Sequence, residues 1–158
     1  MHITTRKLAA AAVTGAAYAA LTMLLAPISY GAIQCRVSEV LCILPFFIPC
    51  TAWGLFVGCA IANLLSAAGI FDVVFGSLAT LLAAICTYKL RNKFWLSALM
   101  PVLFNGVIVG AVVHFCYAPA IALPLCMLSV AAGEAVACLI VGPILISVLR
   151  RMPASVLN

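Results

Sequence analysis

Long uncharged stretches separate the few charged residues of this chain. No charged residue lies between Lys7 and Arg36 or between Glu39 and Asp72, and only 7% of the sequence is charged. A soluble domain carries about 25% charged residues, because it must cover its surface. Since 68% of the residues are hydrophobic, we predict an all-α integral membrane protein that forms one domain over residues 1–158.

Proline, glycine and charged residues divide the chain into six apolar segments. About 20 apolar residues are needed per crossing helix, so 158 residues allow roughly five to six crossings. The predicted helices cover residues 7–26, a short stretch from 37 that Pro45 and Pro49 limit, 52–68, 72–90, 95–115 and 123–149. The first segment begins like a signal peptide, but it is long enough to span, so we expect a retained helix.

The basic residues form three small clusters at the ends of these segments. They are Arg6 with Lys7, Lys89 to Lys93, and Arg150 with Arg151. Basic clusters at span ends mark the cytoplasmic side. If the chain crosses the membrane six times, all three clusters lie on the cytoplasmic side. We therefore predict six transmembrane helices with both termini in the cytoplasm. A nucleic-acid-binding face would need a contiguous basic surface, and we expect no nucleic-acid partner.

A polar island at residues 30–39 interrupts the apolar sequence on the predicted outer side. It contains Tyr30, Gln34, Arg36, Ser38 and Glu39. Polar groups near lipid are costly and need a partner or a function. Arg36 and Glu39 could pair at i, i+3, and such a pair could also position Gln34 for ligand contact.

Four further polar side chains lie within or at the start of the apolar segments. Asn63, Asn105 and Glu134 come from three helices, and a rise of about 1.5 Å per residue places them at mid to outer-half depth. A carboxylate in lipid is costly, so Glu134 is expected to line a cavity open to the outside or to hydrogen-bond a neighbouring helix. Asp72 suits a helix N-cap or a ligand contact.

These amide, carboxylate and guanidinium groups suit a flat, hydrogen-bonding heterocycle better than a sugar, a lipid or a simple ion. Tyr30 and Trp53 could stack on such a ring, although aromatic residues near span ends, Tyr117 included, are also common as interface belts. No GxSxG, HExxH or GxxxxGK[ST] motif occurs, and the eight cysteines include no CxxC. We therefore expect a protein that is not an enzyme, has no metal or cofactor, and takes ATP energy from another chain.

The first segment has small residues on nearly every face. Ala12, Ala16 and Ala20 form one i, i+4 series, and Gly15 and Ala19 belong to a second series. Small residues one turn apart let another helix backbone approach closely in lipid. The pattern predicts ordinary packing within the chain or contact with a second protein, and we favour the second protein for at least one face.

Several longer motifs resemble those of the QueT family, the queuosine-precursor transporters. They are Ala26–Glu39, Leu44–Phe47, Trp53–Leu55, Gly58–Leu64, Asp72–Leu82, Pro101–Asn105 and Gly133–Glu134. The resemblance covers nearly the whole chain. One departure is the uncharged stretch from Ile48 to Thr51, where a polar cytoplasmic turn is expected.

The resemblance implies a substrate-binding S-component of an energy-coupling factor (ECF) transporter. Such a six-helix protein of the bacterial plasma membrane would capture queuine or another 7-deazaguanine precursor of queuosine from outside. It would dock through its first helix on a membrane coupling subunit, and two cytoplasmic ATPases would drive release. The alternative is a stand-alone secondary transporter for another nitrogenous metabolite, which would usually contain an internal repeat, and none is visible.

Together with the shared depth, the resemblance leads us to expect that Glu134 makes the main charged contact with the base. Asn105, Asn63, Gln34 and Asp72 are expected to help. The island is expected to cover the access route to the site, with Gln34 as its direct ligand contact. Arg36 and Glu39 would hold its shape.

Overall fold

The computed structural model describes residues 4–30, 34–149 and 151, and this part of the chain is helical with no strand. Five α-type helices are α1 (Thr5–Leu24), α2 (Thr51–Asn63), α3 (Asp72–Lys89), α4 (Phe94–Tyr117) and α5 (Leu123–Leu149). A 3₁₀ helix, Val37–Phe46, precedes α2, and a single turn, Ala26–Ser29, follows α1. Residues 31–33 of the polar island and Arg150 of the last basic cluster lie outside the described residues.

Four of these helices, α1, α3, α4 and α5, are long and apolar enough to cross a membrane. The 3₁₀ helix and α2 are shorter apolar helices of 10 and 13 residues. At about 2.0 Å per 3₁₀ residue and about 1.5 Å per α residue, each covers about 20 Å. A bilayer core is about 30 Å thick, so neither reaches across it alone. The count of six crossings and the orientation of the termini stay predictions.

The helix bounds differ most from the predicted ones at the end of α2. This helix ends at Asn63, whereas the apolar pattern predicts continuation to Ala68. The Asn63 amide donates to the backbone carbonyl of Asp72 at 2.8 Å, so the chain must turn back within the intervening residues. Gly69 provides the turn with φ of +56°, a left-handed conformation that glycine adopts without a steric penalty.

Large apolar side chains lie on the surface, and several ionisable ones lie in the interior beside the hydrophobic core. Val13, Phe115 and Ile144 are 62–72% exposed, whereas the three acidic residues of the chain are buried. Large apolar surfaces of this kind are stable against lipid rather than water. The described chain is therefore a multi-pass membrane protein with a polar interior.

The contact between α1 and α2 is made by backbone atoms. A Cβ added at Gly54 would lie 1.9 Å from the Ala11 carbonyl oxygen, and one at Gly58 would lie 2.3 Å from the Gly15 carbonyl oxygen. Gly54 and Gly58 form a GxxxG pair, the spacing that allows two helices to approach closely in lipid. Residues Gly15 and Ala19 are buried on this face of α1.

We expect Gly54→Ala to destabilise the protein by about 1–3 kcal/mol, because the new methyl group overpacks a backbone contact. Thermal unfolding of the purified protein, followed by circular dichroism in detergent, measures the effect. Ala132→Leu serves as the control, since Ala132 is exposed on α5. An unchanged midpoint for Gly54→Ala would contradict the tight α1–α2 contact.

Candidate binding site

The three acidic residues of the chain and one arginine are buried in the protein interior, and Arg36 is near enough to Glu39, Asp72 and Glu134 to interact with each electrostatically. Glu39, Asp72 and Glu134 are at most 2% exposed, and Arg36 is 2% exposed. Asn63 and Asn105 are buried in the same way. We call these six residues the polar cluster. Burying ionisable groups is costly, so the cluster is the first place to look for function.

Different elements supply the members of the polar cluster. Arg36 and Glu39 flank the start of the 3₁₀ helix, Asn63 ends α2 and Asp72 begins α3. Asn105 lies in the middle of α4 and Glu134 in the middle of α5. Asn63, Asn105 and Glu134 thus come from three helices and are all buried, and their common depth in the membrane stays a prediction.

Wide π-helical turns occur beside three of these residues. Asp72 begins the π segment Asp72–Gly76, and Asn105 begins the π segment Asn105–Val109. Glu134 lies two residues before a third, Val136–Val141. Such turns are frequent at functional sites, because they redirect side chains and free backbone groups.

Several buried polar atoms of the cluster have no hydrogen-bond partner within the part of the chain that the structure describes. They are Arg36 Nη1 and Nη2, Asn63 Oδ1, Asp72 Oδ1, Asn105 Oδ1 and Nδ2, and Glu134 Oε2. More than nine in ten buried polar groups in proteins are paired, so a concentration of unpaired ones needs an explanation. Four of these atoms are acceptors and three are donors. A bound molecule that pairs all of them needs both donors and acceptors.

Within the described ranges, Arg36 is held through its Nε and its flat face. Nε donates to the Ser29 carbonyl at 3.3 Å, and the guanidinium lies 5.6 Å from the centre of the Tyr30 ring. Burial lowers the Arg36 pKa, but the neighbouring Tyr18, Cys59, Asp72 and Glu39 raise it above its ordinary value. The side chain therefore stays cationic, with both terminal nitrogens free for a ligand.

Glu39 has both carboxylate oxygens occupied by protein donors. Tyr18 and Thr80 donate to Oε1, the latter at 2.9 Å, and the Cys42 thiol donates to Oε2 at 2.9 Å. No ion pair joins Glu39 to Arg36 among the described residues, so the i, i+3 pair considered for them is not formed. Glu39 ties α1, α3 and the 3₁₀ helix together beneath the site.

Asp72 is not a helix cap in this structure. No side chain caps the start of α3, and Asp72 Oδ2 instead accepts from the Tyr117 hydroxyl at 2.5 Å. The sequence pattern had marked Tyr117 only as an interface aromatic. Its partner is 45 residues away in the chain, so no local signal identifies the pair.

The polar island packs on α5 beside Glu134. A Cβ at Gly133 would lie 2.0 Å from the Gln34 carbonyl oxygen, and the Cys35 thiol donates to the Gly133 carbonyl at 3.4 Å. Burial, followed by the nearby Glu134, raises the Cys35 pKa. Gln34 is itself buried. The island thus forms one wall of the polar cluster.

The two aromatic residues considered for stacking differ in position. Tyr30 is half-buried, with its hydroxyl donating to the Ala62 carbonyl at 2.7 Å and its ring against Arg36. Trp53 is 60% exposed and lines an outer groove between α1 and α2. Ten residues of α2 separate Trp53 from Asn63, about 15 Å along the axis. Trp53 is therefore corrected to a surface residue outside the cluster.

The small residues of α1 divide between two faces. Gly15 and Ala19 are buried on the inner face, whereas Ala12, Ala16 and Ala20 are exposed. A groove of about 420 Å³ lies along the α1–α2 contact, lined by Ala12, Ala16 and Trp53 among others. Ala12, Ala16 and Ala20 are therefore the part of the predicted partner surface that packing within the chain does not cover.

Four long apolar helices and a buried, partly unpaired polar cluster define the class: a multi-pass membrane protein of the transporter type. Residues 8–151 match the model of the QueT transporter family. The chain belongs to this family, which confirms the resemblance. No curated protein and no solved structure matches the chain.

Proposed function

We propose that this protein is the substrate-binding S-component of an ECF importer and captures a 7-deazaguanine base at the outer face of the membrane. The set of unpaired donors and acceptors in the polar cluster carries this proposal. A 7-deazaguanine presents ring N–H and exocyclic amine donors beside a carbonyl acceptor. Sites with a few convergent polar groups recognise such ligands by pairing each group.

Each side of the base finds a matching group in the cluster. The Glu134 carboxylate is suited to accept from the ring N–H and the exocyclic amine, and Asn105 offers both an acceptor and a donor. Arg36 is suited to donate to the carbonyl, since its two terminal nitrogens form a rigid fork. Asn63, Gln34 and Asp72 complete the proposed contacts, and Tyr30 supports Arg36 from the side.

The charge of the cluster favours a ligand that carries an amine. The cluster contains three carboxyl groups and one guanidinium, that of Arg36, and the donors that pair with Glu39 are neutral groups that leave its charge in place. A protonated amine offsets the excess negative charge in a low-dielectric interior. We therefore expect queuine and the aminomethyl precursor to bind more tightly than the cyano precursor, whose side chain is neutral.

The proposed assembly uses the exposed face of α1. In this proposal the chain crosses the membrane six times with both termini inside. Ala12, Ala16 and Ala20 contact the membrane coupling subunit, and two cytoplasmic ATPases supply the energy. The exposed i, i+4 spacing of these alanines supports the assignment, because it lets a partner helix approach closely.

Isothermal titration calorimetry of the purified protein with queuine, its aminomethyl and cyano precursors and guanine tests the proposal. We expect about ten-fold tighter binding of the aminomethyl precursor than of the cyano precursor, the result of one additional charged hydrogen bond. Failure of all four compounds to bind would contradict the substrate assignment. Co-purification with an ATPase pair would separate an S-component from a stand-alone secondary transporter.

A further inference from the structure

The Tyr117 hydroxyl connects three parts of the chain at one end of the polar cluster. It donates to Asp72 Oδ2 at 2.5 Å and accepts from the Ala68 backbone N–H at 3.1 Å. Tyr117 is the last residue of α4, and Asp72 is the first residue of α3. Ala68 lies in the segment of residues 64–71 that joins α2 to α3.

Tyr117 also decides which Asp72 oxygen is available to a ligand. The Asn63 amide bonds the Asp72 backbone carbonyl, so it does not constrain the carboxylate. Among the described residues, the carboxylate has Tyr117 as its hydrogen-bond donor, and Oδ1 stays buried without a partner. A carboxylate held through one oxygen presents the other in a fixed direction.

The segment of residues 64–71 connects two members of the cluster. It runs between Asn63 and Asp72, which are both fully buried, while its own Leu64 and Ile70 are exposed. Inside it Gly69 has a positive φ, and a Cβ there would meet no atom within 4 Å. The segment thus has little packing of its own, and the bond from Ala68 to Tyr117 ties it to α4.

We infer that Tyr117 is a positioning residue of the binding site, which aims Asp72 Oδ1 at the ligand and keeps the 64–71 segment closed over it. This inference rests on the proposed function. Removing the hydroxyl frees the carboxylate to rotate and releases Ala68. The bound ligand then leaves faster, because the same hydroxyl holds the contact through Asp72 and the cover through Ala68.

Stopped-flow dissociation of the aminomethyl 7-deazaguanine from Tyr117→Phe tests the inference. We expect about ten-fold faster dissociation, the effect of losing one hydrogen bond to a charged group. Tyr88→Phe is the matched control, since Tyr88 lies near the opposite end of α3 with its ring 4.9 Å from the Arg91 guanidinium carbon. A wild-type rate for Tyr117→Phe would overturn the inference.

A double substitution separates positioning from a general structural effect. In an Asp72→Asn background, Tyr117→Phe should accelerate dissociation less, because the contribution of the bond to the Asp72 carboxylate is already lost and the bond to Ala68 is what remains to be removed. Equal acceleration in both backgrounds would show that Tyr117 acts independently of Asp72, against the inference.

Hydrogen exchange without any ligand gives a separate readout. Tyr117→Phe should speed amide exchange in residues 64–71 and leave the middle of α5 unchanged. If exchange in the segment does not change, Tyr117 does not hold it and the inference fails. If wild-type protein binds no deazaguanine, the proposed function fails, while the exchange result still decides whether Tyr117 ties the segment.

Discussion

Replacing Glu134 by glutamine is expected to weaken binding of the aminomethyl 7-deazaguanine by about 100-fold, which corresponds to losing charged hydrogen bonds worth up to about 3 kcal/mol. Glu134 Oε2 is buried and has no hydrogen-bond partner among the described residues, so it is available to pair with the ligand. Glutamine keeps the size of the side chain but replaces one acceptor by a donor. Calorimetric titration of Glu134→Gln measures the change.

Glu39→Gln provides the contrasting variant. Its two carboxylate oxygens are occupied by Tyr18, Thr80 and Cys42, so the substitution should lower the thermal stability of the unliganded protein more than its affinity. Wild-type affinity for Glu134→Gln would remove Glu134 from the site. If Glu39→Gln instead lost much of its affinity at unchanged stability, Glu39 would be assigned the ligand contact and Glu134 the structural role.

Ala16→Leu is expected to abolish uptake while leaving ligand binding unchanged. Ala16 is exposed on α1 between Ala12 and Ala20, and a leucine there prevents the close helix approach that small residues permit. Uptake in cells and calorimetry on the purified variant together measure the two effects. The matched control is Ala132→Leu, which adds the same volume on the exposed face of α5.

Undiminished uptake by Ala16→Leu would contradict the assignment of this face to the coupling subunit. Loss of uptake by Ala132→Leu as well would point to a general effect of added bulk on the membrane surface. Loss for Ala16→Leu alone, with normal binding, supports docking through α1.

Much of the helical layout follows from local patterns. The helix Leu123–Leu149 has the predicted bounds, and α3 begins at Asp72 as predicted. The bounds of α4 are close to the predicted ones. The positions of charged residues and prolines in the sequence account for this agreement. The end of α2 does not, because Asn63 turns the chain by bonding to Asp72 O. Residues 64 to 68, which are apolar apart from Ser66, carry no signal of that bond.

Some members of the polar cluster could also be predicted from local sequence patterns. Asn63, Asn105 and Glu134 stand out because amide and carboxyl groups in apolar segments are costly wherever the helices pack. Trp53 was predicted to stack on the ligand, because the sequence around an aromatic residue near a span end does not show whether its side chain faces a ligand or lipid. Tyr117 could not be recognised, since its partner Asp72 is distant in the chain.

The sequence by itself determined that this chain is a helical membrane protein and which few residues need a polar partner, because both depend on local transfer free energies. Only the tertiary structure decided how those needs are met. It pairs Glu39 with Tyr18 and Thr80, leaves Arg36 and Glu134 with unpaired atoms, and turns Ala16 outward. The rotation of each helix about its axis sets these partners, and that rotation results from packing between distant segments.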